Sequence, residues 1–341
     1  MAINDDIYSR TLRHRALLTM YEKRLESEMN KLLVSHNIRV RKLIGNSNLN
    51  NLTALKIKLN KEIRQTYKKI YKEGISELNK LAGVSAVFHK NTLANALRNI
   101  YKARGLPEGI KVTDLIIKAN GNFGQQVTAI SIQENRQINR IIKNGIRDGL
   151  DNGKIITNIK RTGTAIASNQ IRTLVRTGIT EVSSFIAKET YRLNEDVVKG
   201  FQYVATLDSR TSLICARLDG KIYSLDNDTS PKPPQHFNCR STTIPVVKSA
   251  KQLENTSNNR ISKRKLKRMS EGRRASINGQ VPARTTYSEW LSTQGNEVKL
   301  TLLGSQERVN LFNTGKLKLT QFSNKEGKLL SIDKLRELSE Q

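Results

Sequence analysis

"IRTLVRTGITEVSSFIAKETYRLNEDVVKGFQYVATLD", residues 171–208, changes its period part-way along. From Ile171 to about Glu195 the apolar residues recur at helical spacing and predict a strong helix. "GFQYVATLD" (200–208) then alternates as a strand does. Two further short segments follow: "GKIYSLD" (220–226), β-rich and bounded by Gly and Asp, and "STTIPVV" (241–247), where Pro245 points to an edge strand. Residues 200–248 are therefore expected to form a small β-containing unit that caps the helix before it. The fold class is α+β, predominantly helical, with long N-terminal helices ahead of this unit.

Towards the N-terminus the helical period dominates. Residues 5–35 place Leu18, Tyr21, Leu25, Met29 and Leu32 on one face, and "GNSNLNN" (45–51) breaks the pattern. Residues 52–82 repeat it with Leu52, Leu55, Leu59, Ile63, Tyr67 and Ile70. The other faces carry Lys, Arg, Gln and Asn, so residues 1–120 read as a helical arm or bundle. Its basic outer faces fit either a DNA-facing surface or ordinary solvated charge. Residues 91–119 are expected as two short helices split by "ARGLPEG" (103–109). A longer helix over 123–150 carries Val127, Ile130, Ile138, Ile141, Ile142 and Ile146, and "DGLDNGK" (148–154) ends it.

Beyond the β unit, residues 249–275 read as a basic linker. "RISKRKLKRMSEGRR" (260–274) holds eight basic residues and one acidic, a flexible or conditionally helical polycation. Residues 276–341 read as a small C-terminal helical region. It contains the only tryptophan, Trp290, and a closing helix with Asp333 near its N-terminus, where the helix dipole favours an acid.

The chain of 341 residues carries 59 Lys and Arg against 30 Asp and Glu, a net charge of +29. Such a surface attracts polyanions. Nucleic acid ranks first, because phosphate contacts release counterions without requiring a particular fold. An anionic membrane ranks second and an acidic protein third. At 5% aromatic residues, extensive base stacking on single strands is disfavoured. No apolar run approaches the roughly 18 residues that span a bilayer, and "MAINDDIYSRTLRHR" lacks the apolar stretch of a signal peptide. Two cysteines cannot build a disulfide framework, so a reducing cytoplasm is the expected site of assembly.

"PPQHFNCRSTTIP" (233–245) sets His236 and Cys239 three apart, and Cys215 lies upstream in "LDSRTSLICARLDG" (207–220). These are zinc-type ligands, and zinc wants four donors. The fourth could be Asp208, Asp219 or a water, since His14, His36 and His89 lie in the helical half. No H-E-x-x-H pattern supplies a helical ligand pair with a base. The competing reading makes Cys215 a small core residue and His236 a turn partner. A Cys239 nucleophile with His236 as base lacks a third group to orient the histidine, and a metal-bound nuclease needs more acids. An architectural reading covers more residues. Asp208, Arg210 and Thr211 close a turn after a strand, Asp219–Gly220 makes a hairpin turn, and Pro233 and Pro234 stiffen the approach to His236. Arg176 and Glu181 could reach Asp208 or Arg210 as a polar seam.

Residues 174–246 also resemble the Mu-F-like phage head morphogenesis domain of minor capsid proteins. "RTGITEV" is similar to the family's "RTE" helix. "YVATLDSRTSLICARLDGKIYSLD" is similar to its W-x-A-T-x-D-x-R-T-C-x-x-C-x-x-L-D-G segment, and "PPQHFNCRSTTIPV" to its PP-x-H-x-N-C-R-C-x-x-x-P segment. "GQVPARTTYSEWLSTQ" and "LLGSQERVNLFNTGKLKLTQF" are similar to the tail that often follows. The resemblance makes 121–248 the head morphogenesis domain, with its core signature at 172–248. Arg176, Asp208, Arg210, Asp219, Gly220, Pro234, His236, Cys239 and Arg240 are its signature or structural positions. Ser212 and Ser241 depart from the pattern, standing where the family usually has cysteines, so a metal held by the cysteine-rich version is in doubt here.

The resemblance implies structure and assembly rather than turnover: no enzyme, no catalytic residue and no cofactor, with zinc on Cys215, His236, Cys239 and Asp208 left open. It implies a minor head protein at the capsid interior or portal vertex of the virion, present in few copies and ejected with the DNA in some cases. The implied partners are the portal protein, the major capsid or scaffolding protein, and packaged double-stranded DNA. The residues expected on DNA are Arg260, Lys263, Arg264, Lys265, Lys267, Arg268, Arg273 and Arg274, with the N-terminal helices expected on portal or scaffold. A nucleic-acid-processing enzyme using His236 and Cys239, or a nonspecific DNA binder, is the alternative.

Overall fold

The computed structural model describes residues 2–47, 51–97, 101–115, 121–226, 229–249, 252–253 and 273–340. It is an α+β protein dominated by four long helices: α1 (Ala2–Gly45), α2 (Leu52–Ala96), α3 (Phe123–Arg147) and α4 (Asn152–Leu193). The chain forms two compact units, each drawn from separated stretches. One comprises 17–83 and 108–182; the other comprises 1–16, 84–107 and 183–341.

Among the described residues, the long elements of the first unit are helices. Its core follows the i, i+3, i+4 rule: Leu18, Leu25, Met29, Leu33, Val40 and Ile44 of α1 are buried, as are Leu55, Leu59, Ile63, Tyr67 and Ile70 of α2. On α3 an Asn122–Gln125 capping box satisfies the first amides. Helix α4 begins nearly twenty residues before the expected Ile171. Asp151 Oδ1 accepts the Lys154 amide at 2.8 Å, as an N-cap does, and Ile155, Ile159, Ala167 and Ile171 continue one buried stripe. Gly74 lets two helices approach: a Cβ there would lie 2.4 Å from Cζ of Phe123. Polar side chains also enter this core. Buried His36 lies between two carboxylates, with Nδ1 3.2 Å from Glu62 and Nε2 3.4 Å from Glu134. Arg176 pairs with Glu26 of α1. The expected seam from Arg176 to Asp208 or Arg210 is thereby corrected; Glu181 is buried on α4.

The second unit gathers the other ends of α1, α2 and α4 around the β elements. The sheet comprises β1 (Val198–Val204), β2 (Ile222–Ser224) and β3 (Thr242–Val247) in the order β2-β1-β3, all antiparallel. Pro245, opposite Phe201, sits on an edge strand, where a missing amide costs least. Ile7, Leu93, Leu97, Ala187, Tyr191, Val198, Phe201 and Val247 form one core cluster. Beside it His14 stacks on Phe88 at 3.9 Å, and His89 stands edge-on to His14 and Tyr191.

The expected pair of short helices over 91–119 is corrected. Helix α2 runs on to Ala96, and residues 101–115 contain no helix. Buried Asn194 explains part of this, because it accepts the Arg104 amide at 2.8 Å and donates to the Arg104 carbonyl at 3.0 Å, leaving that backbone no helical partner.

Between β1 and β2 lies α5 (Leu213–Leu218). After β3 come a hairpin, β4 (Arg273–Ser276) with β5 (Gly279–Pro282), and helices α6 (Tyr287–Ser292), α7 (Asn296–Leu303), α8 (Gln306–Asn313) and α9 (Ile332–Glu340). Trp290, Leu291, Leu303, Val309, Phe322 and Leu335 make their own core with Leu207 and Leu213. Asp333 falls in the first turn of α9, as expected.

Candidate metal centre

Three chemistry-bearing side chains converge beside β1. Ser212 caps α5, its hydroxyl accepting the Cys215 amide, and this sets Cys215 on the first turn facing the sheet. His236 and Cys239 arrive on the segment after Pro233–Pro234, which are joined by a cis bond. The Cys239 amide returns to the His236 carbonyl at 3.2 Å, and Asn238 takes a φ of 60° at the third position of that turn. Asparagine tolerates this left-handed conformation better than most residues. The bend converts a spacing of three into proximity.

The resulting geometry is close. Cys215 Sγ lies 3.6 Å from Cys239 Sγ and 3.3 Å from His236 Nε2. The three ligand atoms all fall within 4.8 Å of one another, and they form the one such group found among the described residues. His236 Nδ1 is 2.8 Å from the Phe237 carbonyl. A carbonyl only accepts, so Nδ1 carries the proton and Nε2 turns its lone pair towards the sulfurs. Ser212 Oγ also lies 2.8 Å from Nε2. Behind the cluster, Tyr203 OH touches Cys215 Sγ at 3.2 Å. Both sulfurs are buried. In the sulfur pair, the hydrogen bond from Cys215 is the main influence lowering the Cys239 pKa, and it outweighs burial, which acts to raise it. The same bond, with burial, pushes Cys215 up, so Cys239 ionises first. The cleft lined by Ser212, Cys215, His236, Asn238 and Ser241 measures about 10 Å³, room for a single water-sized body.

Asp208 is not part of this group, which corrects its expected role as a ligand. Its carboxylate takes both ends of the Arg240 guanidinium, at 2.7 Å on Oδ1, and accepts the Arg210 amide at 3.0 Å. Burial acts to raise its pKa, but the hydrogen bonds and charge of Arg240, helped by Arg210, outweigh burial and hold it below the usual carboxylate value. Asp219 does more than turn a hairpin. Its buried carboxylate accepts the Ala205 amide at 2.6 Å, the Tyr287 amide at 2.6 Å and Arg274 at 2.7 and 3.0 Å. Gly220 follows at a φ of 79°, which glycine adopts freely.

Arg274 is therefore corrected as a DNA-contacting residue. It is buried in strand β4 and also donates to the Ala205 and Thr285 carbonyls, so its charge is spent inside the protein. Arg273 begins the same strand. Arg260, Lys263, Arg264, Lys265, Lys267 and Arg268 lie outside the described residues. Sequence reasoning missed the roles of Arg274, Tyr203 and the Phe237 carbonyl. Nothing in a run of eight basic residues marks Arg274 as a buried one, and a backbone carbonyl leaves no trace in sequence.

The model of the phage Mu protein F like family matches residues 136–244. This segment is similar to that family. It runs from α3 into β3 and contains Cys215, His236, Cys239 and the Asp208–Arg240 pair. Arg274, which closes on Asp219 of the Mu F-like segment, lies beyond the match. No match was found among curated proteins or among solved structures.

Proposed function

We propose that the protein is a minor head protein: an assembly component of a phage capsid, held at the portal vertex or inside the shell and in contact with packaged DNA. The observation that carries this reading is the phage Mu protein F like match over residues 136–244. The charge of +29 agrees with a place among densely packed phosphates. The basic run 260–268 is the proposed DNA contact. The N-terminal helices are the proposed contact with portal or scaffold, and α1 exposes Leu17 and Met20 one turn apart there. No helix among the described residues is long and apolar enough to cross a membrane.

Quantitative mass spectrometry of purified virions, before and after triggered DNA release, tests the reading. A low copy number that falls on release means an internal protein that leaves with the genome. Retained copies mean a portal or shell component. Absence from procapsids and virions alike would sink the proposal. The contact of His236 Nε2 with Cys215 keeps one enzymatic alternative in view, a thiol paired with a base. In that case His236→Ala would abolish an activity on nucleic acid while particle incorporation stayed intact; under the head-protein reading, incorporation is what fails.

A further inference from the structure

The thiol pair and the histidine have a geometry that a turn-closing role alone does not require. A tetrahedral zinc ion with Zn–S near 2.3 Å and Zn–N near 2.0–2.1 Å sets its sulfurs about 3.8 Å apart and each sulfur about 3.6 Å from the nitrogen. Cys215 Sγ stands 3.6 Å from Cys239 Sγ and 3.3 Å from His236 Nε2, and all three ligand atoms lie within 4.8 Å of one another, so a modest shift of these side chains admits the ion. His236 is also oriented for ligation. Nδ1 donates to the Phe237 carbonyl, the arrangement that fixes the tautomer and raises the basicity of a ligating imidazole.

We infer that Cys215, His236 and Cys239 bind one zinc ion that fastens the 233–241 turn to α5, with an oxygen as fourth ligand. That oxygen is a water or the Ser212 hydroxyl, which already lies 2.8 Å from Nε2. The role is structural. The sulfurs are buried, and a cleft of about 10 Å³ holds an ion or a water but no substrate. The two protein segments it joins are 24 residues apart in sequence and share no strand pairing, so the ion would be their strongest direct link. This inference stands on side-chain geometry and does not depend on the head-protein reading.

The test uses the full-length chain, reduced, with both thiols titrated as free, stripped of metal and given Co²⁺ and then Zn²⁺. Uptake of about one equivalent is expected, with a thiolate-to-cobalt charge-transfer band and the intense visible absorption of tetrahedral cobalt, both bleached by zinc. Cys215→Ser and Cys239→Ser should each weaken binding at least about tenfold, and Ser212→Cys, which completes a Cys₃His set, should tighten it at least about tenfold. Uptake below about a tenth of an equivalent by the folded wild type would overturn the inference. So would a weak octahedral spectrum without charge transfer, or binding by folded Cys239→Ser that equals wild type. If the serine variants fail to fold, the wild-type spectrum and the Ser212→Cys shift still decide.

Discussion

Asp219 shows how much one carboxylate can organise. It binds the end of β1, the start of α6 and the guanidinium of β4 at once, with its side chain and that of Arg274 nearly excluded from solvent. Burying two charges is costly, and their mutual attraction repays this only when the remaining hydrogen bonds are also made. Here they are made, through the carbonyls of Ala205 and Thr285. Removing one partner strands the other. Arg274→Met is expected to destabilise the protein by about 3–5 kcal/mol in urea unfolding, and adding Asp219→Asn should recover part of the loss. A loss under about 1 kcal/mol would show that the pair is dispensable. Asp208 with Arg240 works on the same principle at a more exposed place, where solvent screening reduces what the pair contributes.

At the scale of elements, two packings make predictions. Phe123 of α3 lies where a side chain at Gly74 of α2 would stand. Alanine suits a helix better than glycine by about 1 kcal/mol, but overpacking costs about 1–3 kcal/mol. Gly74→Ala should therefore be neutral to destabilising, and Gly74→Ala with Phe123→Leu should regain stability; a Gly74→Ala protein with a clearly raised Tm would contradict this packing. The second packing is the aromatic cluster of His14, Phe88, His89 and Tyr191. Burial, aided by the Arg15 charge, lowers the His14 pKa to about 4; burial, aided by His14, lowers that of His89 to about 3. Both are neutral when folded. As the pH falls below the unfolded value of 6.5, the unfolded chain takes up protons that the folded chain refuses, so stability drops. The loss levels off near pH 4 for His14 and near pH 3 for His89, and His14 alone accounts for about 3 kcal/mol of it. Urea midpoints measured from about pH 7.5 to about 4.5 should fall, and His14→Phe should flatten that slope. A wild-type stability independent of pH across this window would rule the mechanism out.

For the whole molecule, the proposed DNA contact has a thermodynamic signature. Removing one phosphate-neutralising cation should reduce the slope of log affinity against log salt by about 0.9 on duplex DNA. Replacing Arg260, Lys263, Arg264, Lys265, Lys267 and Arg268 with Gln should therefore flatten the slope, whereas Arg274→Gln should leave it unchanged while lowering stability. An unaltered slope in the six-fold variant would move the DNA-binding surface to the helical faces. Much of the architecture was legible in the residues. The 3.6-residue stripes of α1, α2 and α3, the switch to alternation after about Glu195 and the edge position of Pro245 are local patterns, fixed by which face of an element is apolar. The convergence of Cys215, His236 and Cys239 was legible in part, because a tight turn brings residues three apart together. Other features depend on partners distant in the chain. Arg176 chose Glu26, 150 residues away; Arg274 left a run of look-alike cations for Asp219; Asp208 took Arg240 and not a metal-ligand position; Asn194 took both backbone groups of Arg104. The sequence by itself determined the apolar stripes of α1, α2 and α3 and the existence of the three strands, because periodicity is a local property. Only the tertiary structure decided which charge meets which, because a guanidinium can reach any carboxylate of suitable geometry and packing alone selects the one that is buried with it.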